Sequence, residues 1–433
     1  MLQPQTCWLD PSEQKDLVVL MLETGILKFS NARDLALKSG GTTDVYINLR
    51  DARNNPRAIK EVAWYYENPL RRLRPDRFIE IPDAVSCFAG PLSIATGIPY
   101  VTIRESPKEG RVAKAKSIGT AQFGSTAALF DDVVTDGMSK IVPYREACAM
   151  GFRLRNLIVL VDRQQGWRRT FADEGINLSV WAGMTLHRVR KILISDLGVM
   201  ERCRPDVEER NHLIVALDGK SWDETLALAD RLRPSGCILK VNDLLFDRGI
   251  ETLIPDLQVY GRVMADLKCH EIPNTVTNTC QRLRACPPWA VTVHGSGGGK
   301  MVGAAVTALE GTPTKVLAVT VLTSIDEETC KEIYVRQPLE QVLALAKIAA
   351  EGGAHGFVCS PEEVRSLKNM YPDKLVVTPG LRSDGTPQDD QARIATPQGA
   401  REAGADYGVM GRQILNAVDP CAEVGKVLME MGY

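Results

Sequence analysis

The C-terminal half of the chain alternates between short apolar runs and longer amphipathic segments. From residue 212 onward, eight β-rich runs each end in a polar or glycine-containing turn, at 212–217, 237–241, 263–268, 290–294, 315–322, 356–360, 374–378 and 407–411. Between them, three segments carry apolar residues three and four positions apart, as helices covering a sheet do: 222–233, 339–350 and 362–370. Eight β-α units in about 220 residues predict a closed (β/α)8 TIM barrel. An open doubly wound sheet is the alternative, although no G-x-G-x-x-G follows the first run.

The N-terminal half shows a second α/β pattern. Its apolar runs predict strands at 78–81, 100–103, 127–130 and 157–161. Segment 196–211 is charged, contains Pro205 and lacks apolar periodicity, which predicts a linker; a charged helix fits the same residues equally well. Because 433 residues exceed one ordinary core, we expect two domains, 1–195 and 212–433.

Composition narrows the function classes. Hydrophobic residues make up 44% of the chain and charged residues 24%, as in ordinary soluble proteins. The net charge of -2 shows no excess of basic residues that would bind the phosphate backbone of a nucleic acid. Its apolar runs fall short of the roughly 20 residues that a membrane span needs. Eleven cysteines without a C-x-x-C pair, and a start without a basic n-region, indicate a reduced cytoplasmic protein. The five histidines are scattered, so no protein-held metal site is predicted.

Three charged residues stand at the end of the third barrel strand. Side chains alternate along a strand, so Asp266 and Lys268 point to one side, and Glu271 follows at the turn; three charges would crowd one spot. An isolated Asp-x-Lys is more often a solvated strand end. A barrel, however, gathers its strand ends at the active-site face, which favours a catalytic site.

Other strand ends supply matching groups. The first strand ends at Asp218, the second carries Lys240, and the fifth leads to Thr323. The loops after strands seven and eight, which often bind phosphate in this fold, carry Pro379, Gly380, Arg382, Gly411 and Arg412, with Gln391 and Arg393 between them. Each arginine alone is more often a surface charge. Two glycine-arginine loops at one end of a barrel predict a phosphorylated ligand.

These runs resemble orotidine 5′-monophosphate decarboxylases across the whole half. The similar segments are Ala-Leu-Asp at 216–218, Leu-Lys-Val at 239–241, Asp-Leu-Lys at 266–268, Ile-Pro-Asn-Thr at 272–275, Val-Thr-Val-Leu-Thr-Ser at 319–324, Thr-Pro-Gly at 378–380, Asp-Gln-Ala-Arg at 390–393 and Gly-Arg at 411–412. Related sugar-phosphate barrels share the D-x-K-x-x-D theme but not the 272–275, 390–391 and 411–412 segments.

The resemblance implies a cofactor-free decarboxylation of orotidine 5′-monophosphate to uridine 5′-monophosphate in pyrimidine biosynthesis. It makes Lys240, Asp266, Lys268 and Glu271 an alternating charge array, with Lys268 as proton donor to C6 and the acid at 271 supplied by the second subunit of a homodimer or higher homo-oligomer. It assigns ribose contacts to Asp218 and Thr275. It places base and phosphate contacts at Thr323, Pro379, Arg382, Gln391, Gly411 and Arg412.

Position 271 departs from that family, which has aspartate there. One methylene moves a carboxylate by about 1.5 Å, in an array where 1 Å can cost on the order of 100-fold. Asn242 and Gln413 replace the usual glycine and proline. A barrel with weakened or redirected activity is therefore the alternative.

In the N-terminal half, an apolar strand runs into Asp131 and Asp132 and then into the loop 135–139. Acids at a strand end can hold ribose hydroxyls, and loop N–H groups at a helix start can hold phosphate; a strand followed by a capped helix is the alternative. The segment resembles the phosphoribosyl-diphosphate motif of type I phosphoribosyltransferases, and segments 27–29, 37–40, 46–48 and 161–166 are similar to orotate phosphoribosyltransferase. The resemblance implies a reaction that requires Mg2+ together with phosphoribosyl diphosphate. It also implies that the following residues contact the ligands: Lys28, Arg104, Lys108, Asp131, Asp132, Thr135, Gly137, Ser139 and Arg163.

Two residues depart from that second pattern. Glu105 stands where a lysine would meet diphosphate, and Asp136 places an anion in the phosphate loop. A degenerate module that binds a nucleotide or assists assembly without catalysis is the alternative. Together the halves resemble the bifunctional uridine 5′-monophosphate synthases, in which the first reaction makes the nucleotide that the second consumes.

Overall fold

The computed structural model describes residues 6–36, 42–103, 117–119, 123–203, 205–384 and 395–433. The chain divides into two compact units, Met1–Glu201 and Arg202–Tyr433. The segment predicted as a linker is not wholly irregular, because it contains the helix Pro205–Arg210. Proline in the first turn and acidic residues next to it favour the start of a helix. These residues therefore follow the alternative prediction of a charged helix.

The N-terminal unit is built on one twisted sheet with helices on both faces. Its strands are β1 (Thr6–Cys7), β2 (Leu27–Phe29), β3 (Leu35–Ala36), β4 (Thr42–Thr43), β5 (Val45–Ile47), β6 (Arg77–Glu80), β7 (Tyr100–Ile103), β8 (Ser117–Ile118), β9 (Thr126–Val134), β10 (Arg153–Asp162) and β11 (Ser179–Thr185). Its helices are α1 (Pro11–Glu23), α2 (Pro56–Leu73), α3 (Ser86–Thr96), α4 (Met138–Ala149), α5 (Trp167–Asp173) and α6 (Leu186–Lys191), with a 310 helix at Leu49–Asn54 and a π-helical turn at Ile192–Asp196.

The sheet order is β1-β11-β10-β9-β6-β7-β8, and all neighbours are parallel except β7 and β8. Successive residues of β9 face opposite cores: Leu129 packs with Leu157 on one face, and Phe130 packs with Phe78 on the other. A strand buried on both faces explains why these runs are continuously apolar instead of alternating.

Strand β9 is longer than its sequence predicts. We expected the apolar strand to end at residue 130, with Asp131 and Asp132 at the strand end and a loop at 135–139 after them. It continues to Val134, since Asp131 pairs in register with Val159 and Val133 with Val161 of β10. The two acids are therefore buried inside the strand, and only the residues after Val134 form the loop.

The C-terminal unit, which begins with α7 (Pro205–Arg210), carries eight parallel strands. They are β12 (Leu213–Ala216), β13 (Ile238–Val241), β14 (Val263–Cys269), β15 (Ala290–His294), β16 (Lys315–Val319), β17 (Gly356–Val358), β18 (Leu375–Pro379) and β19 (Tyr407–Met410). The further helices are α8 (Trp222–Leu232), α9 (Asp243–Arg248), α10 (Ile250–Gln258), α11 (Pro273–Leu283), α12 (Gly299–Leu309), α13 (Glu327–Tyr334), α14 (Pro338–Glu351), α15 (Val364–Met370), α16 (Pro397–Ala403), α17 (Arg412–Leu415) and α18 (Pro420–Glu430).

These strands pair in chain order, and β19 pairs with β12, so the sheet closes into a barrel. The predicted barrel is confirmed. Its interior is filled by one apolar side chain from most strands, a layer of Ile214, Ile238, Met264, Ala290, Leu317, Val377 and Val409. In the described ranges, no helix is long and apolar enough to cross a membrane.

Candidate active site

The end of β14 has an irregular backbone that sets the position of Lys268. The ladder to β15 breaks between Ala265 and Cys269, and Lys268 adopts a φ of 46°. A left-handed conformation at a non-glycine residue costs on the order of 1–3 kcal/mol and persists where the surroundings hold it. Here the Lys268 N–H donates to the hydroxyl of Thr292 over 2.9 Å, and Thr292 is fully buried on β15.

Four ionised side chains from adjacent strands form an alternating row. The Lys268 ammonium donates to Asp266 Oδ2 over 2.6 Å, and the Lys240 ammonium donates to the same oxygen over 3.1 Å. Lys240 also donates to Asp218 over 2.5 Å. Asp266 is further fixed because the Thr292 hydroxyl donates to its Oδ1 over 2.8 Å. The row brings together three strand ends that sequence reasoning had listed separately.

The two buried members of the row, Lys240 and Asp266, favour their charged forms. Burial by itself raises the pKa of Asp266, but the ammonium groups of Lys240 and Lys268 outweigh it and hold that pKa below its usual range. Burial likewise lowers the pKa of Lys240, and the carboxylates of Asp266 and Asp218 reverse the effect and raise it. The Lys268 side chain is 36% exposed against 10% for Lys240, so its ammonium is the more open of the two cations in the row.

A cavity of about 530 Å³ lies over this row at the carboxyl ends of the strands. Besides the charged row, its lining includes the apolar residues Val319, Val321, Leu322, Val358 and Met410. The predicted binding residues Asp218, Thr323, Pro379, Arg382, Gly411 and Arg412 all line it. A cavity lined by two arginines, a charge row and apolar side chains suits an anionic ligand that also has an apolar part.

Two predicted residues are not in this cavity. Glu271 and Thr275 are exposed; the Glu271 carboxylate accepts only the N–H of Ile272 among the hydrogen bonds of the described residues. β14 ends at Cys269, so Glu271 lies beyond the strand, and the expectation that three charges crowd one spot is wrong for a single chain. Gln391 lies outside the described residues.

The N-terminal unit has a cavity of about 700 Å³ at the carboxyl end of β9. It is lined by the predicted residues Asp131, Asp132, Thr135, Ser139 and Arg163, and by Tyr46, Arg50 and Lys140. Burial first, and the neighbouring charge of Asp131 second, raise the pKa of Asp132 to about 7. The ammonium of the buried Lys140 pairs with the Asp131 carboxylate.

Two other predicted N-terminal residues that the structure describes, Lys28 and Gly137, do not line this cavity. Lys28 is exposed on β2 and pairs with Asp51 at 3.5 Å. Gly137 has a φ of 83°, and a Cβ there would lie 2.7 Å from the Phe171 ring, so its role in the structure is to let α4 begin close to α5. Arg104 and Lys108, like Glu105, lie outside the described residues.

Sequence reasoning missed two residues that organise these sites. Thr292 lies at an inward position of β15, on the same face as Ala290 and His294. A hydroxyl at that inward position was the feature of the sequence that could have indicated a role for Thr292 in the site. Lys140 stands on α4 at a position that the packing buries, and nothing in its immediate sequence indicates its partner. In the part of the chain that the structure describes, no group of three metal-binding side chains is assembled.

The eight parallel strands form a closed sheet, and acidic and basic side chains lie at their carboxyl ends. The C-terminal unit is therefore a (β/α)8 barrel with charged groups where enzymes of this fold have their active sites. Residues 211–427 match the model of the orotidine 5'-phosphate decarboxylase / HUMPS family, and the chain belongs to this family.

Several proteins of known description are similar to this half. The orotidine 5'-phosphate decarboxylase of Pseudomonas paraeruginosa is 41% identical over 225 residues, which are 51% of this chain and 97% of that protein. The crystal structure of orotidine 5'-phosphate decarboxylase from Lactobacillus acidophilus shares 38% identity, covers 52% of this chain and 100% of that one, and has a TM-score of 0.46. The structure of Leishmania donovani UMP synthase shares 24% identity, covers 44% of this chain and 40% of that one, and has a TM-score of 0.39.

Proposed function

We propose that the barrel decarboxylates orotidine 5′-monophosphate to uridine 5′-monophosphate, a step of pyrimidine biosynthesis, without a cofactor. The observation that carries the proposal is the row Asp218-Lys240-Asp266-Lys268 at the mouth of a cavity that also holds Arg382 and Arg412. The family model covers orotidine 5'-phosphate decarboxylases together with HUMPS proteins, and the similar Pseudomonas paraeruginosa protein, matched over 97% of its own length, is a decarboxylase.

The chemistry requires that the bond from C6 to the carboxylate breaks, that CO2 leaves, and that the electron pair stays on C6 until a proton arrives. The Lys268 ammonium, held at 2.6 Å from Asp266, faces the cavity and supplies that proton; solvent then reprotonates the amine. An ammonium about 4 Å from a full negative charge contributes roughly 4 kcal/mol at an effective dielectric of 20, which is on the order of 10³ in rate. Because the charge on C6 develops only in the transition state, this attraction accelerates the reaction.

Asp266 keeps Lys268 in place before substrate binds. Its carboxylate accepts from Lys240, Lys268 and Thr292 at once, so the array needs no reorganisation during the reaction. Asp218 binds ribose, Thr323 and Pro379 contact the base, and Arg382, Gly411 and Arg412 hold the phosphate in this proposal. Gln391 is assigned to the same end.

Release of CO2 from orotidine 5′-monophosphate by the full chain tests this proposal. We expect turnover by the wild-type chain, none by Lys268→Ala, and wild-type turnover by the matched variant Lys347→Ala, which removes an exposed lysine on the outer helix α14. Equal rates for Lys268→Ala and Lys347→Ala would remove Lys268 from the mechanism.

A second copy of the chain completes the site in this proposal. Glu271 and Thr275 are exposed beside the barrel mouth instead of lining the cavity, which leaves them available to a neighbouring site across a two-fold axis. Mixing Lys268→Ala chains with Glu271→Ala chains tests this arrangement. Hybrid dimers then contain one intact site, and random pairing restores about one quarter of the wild-type sites. Activity of the mixture no higher than that of the separate variants would place Glu271 in its own chain's site or outside catalysis.

We further propose that the N-terminal unit forms orotidine 5′-monophosphate from orotate and phosphoribosyl diphosphate, with Mg2+. Its cavity is lined by the two acids, the hydroxyls of Thr135 and Ser139, and Arg163, a set able to bind ribose hydroxyls and phosphate. The resemblance to orotate phosphoribosyltransferase alone adds four further ligand contacts to this proposal: Lys28, Arg104, Lys108 and Gly137.

The Lys268→Ala background gives a clean assay for this step, because any nucleotide formed then accumulates instead of losing CO2. Orotate, phosphoribosyl diphosphate and Mg2+ should yield orotidine 5′-monophosphate, and Arg163→Ala in the same background should abolish it. A rate no higher than that without protein would reject the transferase.

A second function for this unit is a nucleotide-binding or assembly module without catalysis. One observation favours it: the Asp131 carboxylate already has a partner in Lys140. Nucleotide binding by the unit in the absence of any transfer would support this function over the transferase.

A further inference from the structure

Lys140 is an unusually placed cation. It lies in the first turn of α4, its side chain is 5% exposed, and its ammonium pairs with the Asp131 carboxylate, which is 4% exposed. Lysine is rarely buried to this degree unless it is paired. The pair also lines the N-terminal cavity, so it is a part of the ligand-facing wall and not only of the core.

The neighbouring acid is engaged by backbone groups. Asp132 Oδ1 accepts the N–H of Val133 over 2.7 Å, and Asp131 Oδ1 accepts the N–H of Asp132 over 2.8 Å. Asp131 therefore uses one oxygen for the backbone and the other, Oδ2, for Lys140. Both oxygens of Asp131 are thus already engaged before any ligand binds.

The acid pair does not fit a divalent cation. Magnesium requires near-octahedral oxygen ligands at about 2.0–2.1 Å, and the ammonium of Lys140 already occupies Oδ2 of Asp131. Among the described lining residues, the three acids Asp131, Asp132 and Asp136 are matched in number by three cations, Arg50, Lys140 and Arg163. A dication at the acids would have to displace a buried cation of like charge.

We propose that Lys140 is a resident counter-cation for Asp131 and Asp132, and that neither acid binds a divalent ion while Lys140 is in place. This placement of Lys140 does not depend on the function proposed above for the unit. Lys140 is thus a specificity-determining residue, because it decides whether the acid pair attracts a metal.

Titration of the full chain with Mn2+ alone, followed by the electron paramagnetic resonance signal of the free ion, tests the proposal. We expect Asp132→Asn to leave the number of bound Mn2+ ions unchanged, because the wild-type acids hold none. We expect Lys140→Met, which keeps most of the length of the side chain and removes its charge, to gain one Mn2+ site that Mg2+ displaces. The gained site should be at least tenfold tighter than any that Lys140→Met/Asp132→Asn retains.

Two results would overturn the proposal: a wild-type chain that loses one bound Mn2+ on Asp132→Asn, or a Lys140→Met variant with wild-type circular dichroism that gains no site. If Lys140→Met does not fold, the comparison of wild type with Asp132→Asn decides alone. The titration measures only Mn2+ binding and uses neither orotate nor phosphoribosyl diphosphate. Failure of the transferase assay would therefore not change the conclusion about Lys140.

Discussion

Replacing Thr292 by valine removes one hydroxyl and leaves the shape of the side chain almost unchanged. That hydroxyl accepts the Lys268 N–H over 2.9 Å and donates to Asp266 Oδ1 over 2.8 Å. It therefore connects the left-handed backbone at Lys268, with its φ of 46°, to the carboxylate that orients the Lys268 ammonium. We infer that Thr292 is a positioning residue for the array.

The expected cost follows from the two lost bonds. An N–H left without its acceptor in a buried site costs about 1–3 kcal/mol, and a hydrogen bond to a charged group is worth about 1.5–3 kcal/mol. Allowing for partial relaxation, the free energy of unfolding of the barrel should fall by about 2–4 kcal/mol. A shift of Lys268 by 1 Å can lower the rate on the order of 100-fold, whereas the groups that bind ribose and phosphate stay in place.

Steady-state decarboxylation and urea unfolding measure both effects. Thr292→Val should lower kcat by about 10- to 100-fold while KM changes less than about threefold. Thr292→Ser keeps the hydroxyl and should retain kcat within about threefold, which separates positioning from packing. A Thr292→Val chain with wild-type kcat would refute the reasoning, as would equal losses in both variants.

Three further outcomes are expected. Arg412→Ala should raise KM for orotidine 5′-monophosphate by about 10- to 100-fold, because a charge-assisted phosphate contact is worth about 1.5–3 kcal/mol; an unchanged KM in initial-rate assays would contradict its placement. Glu271→Gln should leave the free energy of unfolding within about 0.5 kcal/mol, since the side chain is exposed, and yet lower kcat at least about tenfold; unchanged turnover would exclude a catalytic charge there. The pKa of Asp132 is raised to about 7 in the folded state. Between about pH 4 and 7 the folded state therefore holds a proton that the unfolded state has lost. The free energy of unfolding consequently falls as pH rises through that window, by at most about 1.4 kcal/mol per pH unit. Unfolding of Asp132→Asn at pH 5, 6, 7 and 8 should lose that slope, and a slope equal to the wild type would show that another group causes it.

Much of the barrel can be predicted from the sequence because each strand is a short apolar run with a turn behind it. Period and turn chemistry are local properties, and they place Lys240, Asp266 and Lys268 at strand ends before any contact is known. The contact between Asp266 and Thr292 is different. It joins adjacent strands through a break in their ladder, and no local pattern encodes such a break.

The N-terminal site was harder for a related reason. The change from apolar residues to Asp131 and Asp132 suggested the end of a strand, yet pairing with Val159 and Val161 of β10 continues through and beyond them. Tertiary pairing overrides local polarity when a buried partner offsets the charge. That partner, Lys140, lies on α4 and meets Asp131 only in the folded unit.

The release of labelled CO2 from carboxyl-labelled orotidine 5′-monophosphate, measured after the full chain has been dialysed against a chelator, tests the central claim most directly. A charge array built only from side chains predicts undiminished release by the chelated wild-type chain and none by Lys268→Ala. Absence of labelled CO2 from the wild-type chain, or release that disappears on chelation and returns with added metal, would contradict it.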